Sequence, residues 1–170
     1  MHAAHTDPWY TDEDFRRIRI AKSFPPLVEV AIQAIARNRR PNEPVIQVCG
    51  PMTTGDGTFK ENNERIVRTI VRLRDEGKSV FSQVVFQEGM LNFTTIEDYH
   101  RDPLRLLEGF YGALFRGGHI QTLVFLPGSR KSLGCRWEES MGRKLGMDII
   151  LLPDEATKPH VLFSLPQALF

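Results

Sequence analysis

From Val45 onward the chain alternates short, largely apolar runs with longer stretches at helical spacing, and this alternation constrains the fold more than any other feature. Val45-Ile46-Gln47-Val48-Cys49, Ser79 to Phe86, Thr122-Leu123-Val124-Phe125-Leu126 and Asp148 to Leu152 read as strands. A strand that is apolar on both faces needs cover on both faces, which is the condition of a parallel sheet between helices. The intervening segments supply that cover. Thr58-Phe59-Lys60-Glu61 matches a capping box, so a helix is expected from about Phe59, with Ile66, Val67, Ile70, Val71 and Leu73 as its stripe and Gly77 as its stop. Asp102-Pro103 starts another, running through Leu106, Leu107, Phe110 and Leu114 to Gly117-Gly118. A third spans about Cys135 to Leu145 and is stopped by Gly146. The expected fold is α/β: a three-layer, doubly wound, flavodoxin- or Rossmann-like parallel sheet flanked by helices.

The first 44 residues lack the strand signal and read as an N-terminal helical extension, with the α/β domain over 45–170. Asp12 is placed to cap a short helix through Phe15, Ile18 and Ile20, and Pro25-Pro26 breaks the chain after it. Leu27, Val28, Ala31, Ile32 and Ile35 then recur at helical spacing up to the basic stretch Arg37-Asn38-Arg39-Arg40, read as a solvated helix end. The apolar tail from His160 to Phe170 fits either an edge strand or a subunit contact.

Composition removes whole classes of function. Lys and Arg number 22 against 21 Asp and Glu, so no basic excess marks a binder of nucleic-acid polymers. No apolar run approaches the length of a membrane span, and the opening residues lack the apolar core of a secretory signal, so a cytoplasmic location is expected. Two cysteines cannot build a disulfide scaffold or a four-ligand zinc site, and His100 and His119 are isolated, so neither a metal nor a cofactor is expected.

In an open parallel sheet, ligands bind beyond the carboxyl ends of the strands. Glycines crowd the segments leaving those ends: Gly50, Gly55 and Gly57, then Gly89, then Gly128 and Gly134. Gly50 to Gly57 has neither the lysine of a triphosphate loop nor dinucleotide-loop spacing. The segment from Pro127 to Gly134 carries Ser129, Arg130, Lys131 and Ser132 before a helix start, which suits either a bound phosphate or a simple turn with an N-cap serine. Glu138 follows. With Trp137, Met141 and Leu145 as the buried stripe, Glu138 lies about 100° from its centre and Glu139 about 200° away. Glu138 is then expected to border the cleft, with Gly142 leaving room beside it. A carboxylate kept ionised by a helix N-terminus suits attack on an electron-poor carbon such as the anomeric carbon of a sugar.

Cys49-Gly50-Pro51-Met52 and Ser132-Leu133-Gly134-Cys135-Arg136-Trp137-Glu138 together resemble the nucleoside 2-deoxyribosyltransferase superfamily. The second motif resembles the 2′-deoxynucleoside 5′-monophosphate N-hydrolases, and the run from Leu126 to Gly134 with Leu145-Gly146 resembles a bacterial and phage branch of the same superfamily. The resemblance covers residues 45–153. It implies a five-stranded flavodoxin-like sheet, Glu138 as the nucleophile that displaces the base, and Ser132 at the 5′-phosphate or 5′-hydroxyl. Gly50, Pro51, Met52 and Thr53 would border the sugar and base, with Ser129 and Gly134 in the anion loop. It further implies a nucleoside or nucleotide ligand, no cofactor, and a homodimer or larger homo-oligomer. The chain departs from the pattern at Pro51 and Thr53, where the hydrolases carry serine and arginine, and at Ser140, where a glycine is usual. The acidic residue that serves the family as general acid is replaced by a stretch with Gly112, Ala113 and Gln121, leaving Glu108, Tyr111 or Asp56 for that role. A nucleotide- or nucleotide-sugar-binding module that has lost catalysis is the alternative expectation.

Overall fold

The computed structural model describes residues 7–52 and 57–153. Thr53, Gly55, Asp56 and the tail from Asp154 onward lie outside the described residues. The chain forms two compact units, one from residues up to Asn38 together with Ser82–His119, the other from Arg39–Phe81 together with residues from Ile120 on. The N-terminal helices therefore do not precede one continuous domain. They share a unit with the segment between Ser82 and His119, because the apolar residues of both bury one another.

In that first unit, α1 (Asp12–Ile20) is capped by Thr11 rather than Asp12: the Thr11 hydroxyl accepts from the Asp14 amide, and Asp14 answers the Thr11 amide. Pro25 and Pro26 do not break a helix but sit in the first turn of α2 (Phe24–Asn38), where their missing N–H groups have no helical partner to lose. Arg37, read as solvated, ion-pairs with the buried carboxylate of Asp14. The Ser82–His119 segment adds a 3-10 turn (Val84–Phe86), α4 (Gln87–Leu91), α5 (Ile96–Arg101), α6 (Pro103–Leu106) and α7 (Ala113–Arg116), with Leu107–Gly112 between the last two in π-helical geometry. Phe15, Ile18, Leu27, Ala31, Phe86, Phe110 and Leu114 are buried here. The Tyr10 hydroxyl donates to the Ser82 carbonyl at 2.8 Å.

The apolar run Ser79 to Phe86 is thus split. β2 (Ser79–Phe81) ends where its neighbour stops pairing with it, at Gln47 opposite Phe81. Val84, Val85 and Phe86 are buried in a helical turn instead. Continuous apolarity reports burial and does not distinguish strand from helix over so short a run.

The second unit holds the sheet. Strands β1 (Val45–Cys49), β2, β3 (Thr122–Phe125) and β4 (Asp148–Leu151) are all parallel, in the order β2-β1-β3-β4. A fifth strand, implied by the resemblance, is not among the described residues. Alternate side chains of a strand face opposite sides, and α3 and α8, among the described residues, divide those sides between them. α3 (Phe59–Asp75) covers the side of Val48 and Gly50: a Cβ on Gly50 would come within 3.2 Å of Ile66 on α3. α8 (Leu133–Lys144) covers the side of Gln47 and Leu123: a Cβ on Gly142 would stand 2.8 Å from Leu123 and 3.0 Å from Ile149. The result is the expected three-layer α/β arrangement. Its order reverses direction between β1 and β3, the point where sheets of this kind open a crevice at their carboxyl end.

Candidate functional site

Two loops flank that point. The first leaves β1 at Gly50, Pro51 and Met52, of which Gly50 and Pro51 are buried and Met52 half-buried. Asn62 on α3, itself buried, donates to the carbonyls of Met52 and Gly57, each at 3.3 Å, and so ties both ends of this loop to the helix. The second leaves β3 at Leu126, whose amide extends the ladder to the Cys49 carbonyl at 2.8 Å. Gly128 adopts φ +82°, a conformation costly for other residues, and Ser129–Lys131 form a single 3-10 turn. Ser132 then caps α8, its hydroxyl accepting from the Cys135 amide at 3.4 Å. Ser129 and Ser132 are buried while Arg130 and Lys131 are exposed. Two arginines bracket this loop: Arg65 of α3 donates to the Pro127 carbonyl at 3.3 Å, and Arg136 of α8 to the Arg130 carbonyl at 3.0 Å.

The buried face of α8 is formed by Cys135, Glu138 and Gly142, not by Trp137, Met141 and Leu145. Trp137 and Met141 are half-buried, and Leu145 is 42% exposed. The helix approaches the sheet through its small residues, and Gly142 is needed for that approach to Leu123 and Ile149 rather than to leave space beside a ligand. Glu138 accordingly points at the sheet and is 7% exposed. Glu139 is half-buried rather than solvent-facing and pairs with Arg143.

Glu138 meets three groups. Gln47, at the centre of β1 and fully buried, donates from Nε2 to Glu138 Oε1 at 2.8 Å. The thiols of Cys49 and Cys135 lie beside the same carboxyl and favour its ionised form. Burial pushes the Glu138 carboxyl up to about 7, outweighing the opposing influence of Cys49, Cys135 and Gln47. This corrects the expectation of a carboxylate held ionised by the helix start. Glu138 is the sixth residue of α8, past the first turn where the dipole acts, and desolvation of the charged form dominates. Burial, reinforced by the neighbouring Glu138, also raises both thiols, so neither cysteine is a ready thiolate.

The expected site residues thus divide. Gly50, Pro51, Met52, Ser129, Ser132, Gly134 and Glu138 all belong to the second unit, on the two loops and α8. Glu108 and Tyr111 belong to the first, where Glu108 ion-pairs with Arg116 at 2.6 Å and the Tyr111 ring packs on Phe110 and Phe115. Thr53 and Asp56 lie outside the described residues. Gln47 was missed, and its signal is a lone amide inside an otherwise apolar strand, which must find a buried polar partner. Arg65 carried no signal, because one arginine on a helix with many charges looks solvated.

Among the described residues no cluster of three or more His, Cys, Asp or Glu side chains is arranged to hold a metal ion. None of the helices there is long and apolar enough to cross a membrane. No family model matches the chain, and no curated protein or solved structure does either. The class defined by fold and site is therefore an open parallel α/β sheet with strand order 2-1-3-4 and a buried carboxyl below its switch point.

Proposed function

We propose that the protein cleaves or exchanges the N-glycosidic bond of a nucleoside or nucleoside 5′-monophosphate, with Glu138 as nucleophile. The observation that carries this reading is a buried carboxyl group hydrogen-bonded to Gln47 of β1, one of the two strands between which the order reverses, on a helix capped by Ser132. Gln47 fixes one oxygen of that carboxyl, so its orientation is set before a ligand arrives. The Ser129–Ser132 loop, bracketed by Arg65 and Arg136, is the segment that would receive the 5′ end of the substrate. Attack on the anomeric carbon needs the ionised form, so turnover should rise with pH through about 7, the range in which Glu138 loses its proton. With this substrate class go a cytoplasmic location and a homodimer or larger homo-oligomer. The test is base release from a panel of ribo- and deoxyribonucleosides and their 5′-monophosphates, followed chromatographically. Wild type should release base from at least one, and Glu138→Ala from none; a wild type inert on the whole panel refutes the proposal.

One observation favours a second reading, a nucleotide-binding module without catalysis. Glu138 is 7% exposed and already holds a hydrogen bond from Gln47, so it is satisfied without a ligand. That reading expects nucleotide binding by wild type to survive Glu138→Gln.

A further inference from the structure

Gln47 presents an asymmetry that the proposed reaction does not use. Its amide nitrogen donates to Glu138 Oε1, yet its carbonyl oxygen Oε1 has no hydrogen-bond partner among the described residues, although Gln47 is completely buried. An amide oxygen taken out of water without a donor costs about 1–3 kcal/mol, so such a group normally has one. The nearest thiol does not supply it: Cys49 Sγ donates to the main-chain carbonyl of Gln47 at 4.0 Å and accepts from Gln47 Nε2 at 3.7 Å.

A carboxyl and a primary amide can pair through two hydrogen bonds, N–H to one carboxyl oxygen and O–H to the amide oxygen. The first of these is present, and a proton on Glu138 would provide a donor for the second. We infer that Gln47 and Glu138 form a closed acid–amide pair between β1 and α8, in which Glu138 keeps its proton on Oε2 and donates it to Gln47 Oε1. The proton is held between the two side chains, not passed on. Gln47 is thus a positioning residue: its N–H orients the carboxyl, its carbonyl oxygen receives the proton that burial keeps on Glu138, and a nucleophilic Glu138 would first have to break that second bond and release the proton.

The surroundings favour the neutral form. The titratable groups against the carboxyl are Cys49 from β1 and Cys135 from α8, and both thiols are shifted upward, away from ionisation. β3 and β4 meet α8 with Leu123 and Ile149. Of the other charged residues on α8, Arg136, Arg143 and Lys144 are exposed and Glu139 pairs with Arg143. The Arg136 charge acts on Cys135, and no cation is among the causes that shift the Glu138 carboxyl.

The test needs no substrate, so it can fail or succeed independently of base release. Infrared difference spectra of the full chain at about pH 5.5, wild type minus Glu138→Gln, should contain the carbonyl stretch of a protonated, hydrogen-bonded carboxyl. In Gln47→Met that band should move to the higher frequency of an unbonded acid. A missing band, or one that Gln47→Met leaves in place, overturns the inference. Stability provides a second readout should Gln47→Met not fold. An amide at position 138 can make both bonds, whereas leucine can make neither. At about pH 5.5 the folding equilibrium of Glu138→Gln should stay within about threefold of wild type, while Glu138→Leu loses roughly tenfold or more. Equal losses in the two variants overturn the pair.

Discussion

The burial of Glu138 makes the stability of this protein depend on pH in a way that one substitution isolates. In the unfolded chain the carboxyl titrates near the ordinary value of 4.5, and in the fold at about 7. The rise from 4.5 to about 7, at about 1.4 kcal/mol per pH unit, amounts to roughly 3–4 kcal/mol, against a typical total of about 5–15 kcal/mol. The sign follows from which state binds the proton more tightly. Because the folded value is the higher one, the contribution is complete below about 4.5 and is lost as pH rises through about 7. Other carboxylates and histidines titrate over the same range, so the wild-type curve alone is not diagnostic. Glu138→Gln removes this one proton and leaves the others. Urea unfolding of both proteins, followed by far-ultraviolet circular dichroism at half-unit steps from pH 4.5 to 8 and constant ionic strength, reads the difference directly. The wild-type stability minus that of Glu138→Gln should fall by about 3 kcal/mol across the series, most steeply between about pH 5 and 7. A difference that stays flat within about 0.5 kcal/mol would show that Glu138 is ionised in the fold at all these values, and the account of its burial would be wrong.

Two further substitutions probe the elements that build the two units. Gly89→Ala places a Cβ 2.6 Å from the main-chain oxygen of Ile18, which cannot swing away like a side-chain tip, so it should cost about 1–3 kcal/mol by thermal or urea unfolding; a neutral result would mean that α4 and α1 sit farther apart. Ser132→Ala removes the cap of α8, whose bond is long at 3.4 Å, so the loss should fall near the lower end of the usual range, about 0.5–1 kcal/mol. A loss above about 2 kcal/mol would show that the Ser132 hydroxyl does more than cap the helix.

Much of the fold was legible because local chemistry and final environment agree. The capping box at Thr58 forms as the spacing of Thr58 and Glu61 requires, and Gly77 and Gly146 both take positive φ where they end their helices. The largely apolar strands beginning at Val45 and Thr122 are buried along their whole length. The run from Ser79 leaves the strand beyond Phe81, and nothing local in the sequence marks where a neighbouring strand stops.

The site was legible only in part. Glu138 and Ser132 could be named because each sits at a fixed offset from a helix start, and the chemistry of helix starts is local. The face of α8 that meets the sheet could not be read: Trp137, Met141 and Leu145 carry the apolarity, while Gly142 alone permits the close approach.

What the sequence determined is what short-range physics can encode: the alternation of parallel strands and helices, the helix caps, and the loops beyond the strand ends. What only the tertiary structure decided is the company each residue keeps. It joined the first helices to the segment from Ser82 to His119, and it set Gln47 of β1 against Glu138, which lies 91 positions away in the chain. The protonation of a carboxyl depends on its distance from water and from donors brought together by folding, and neither distance is written in the residues beside it.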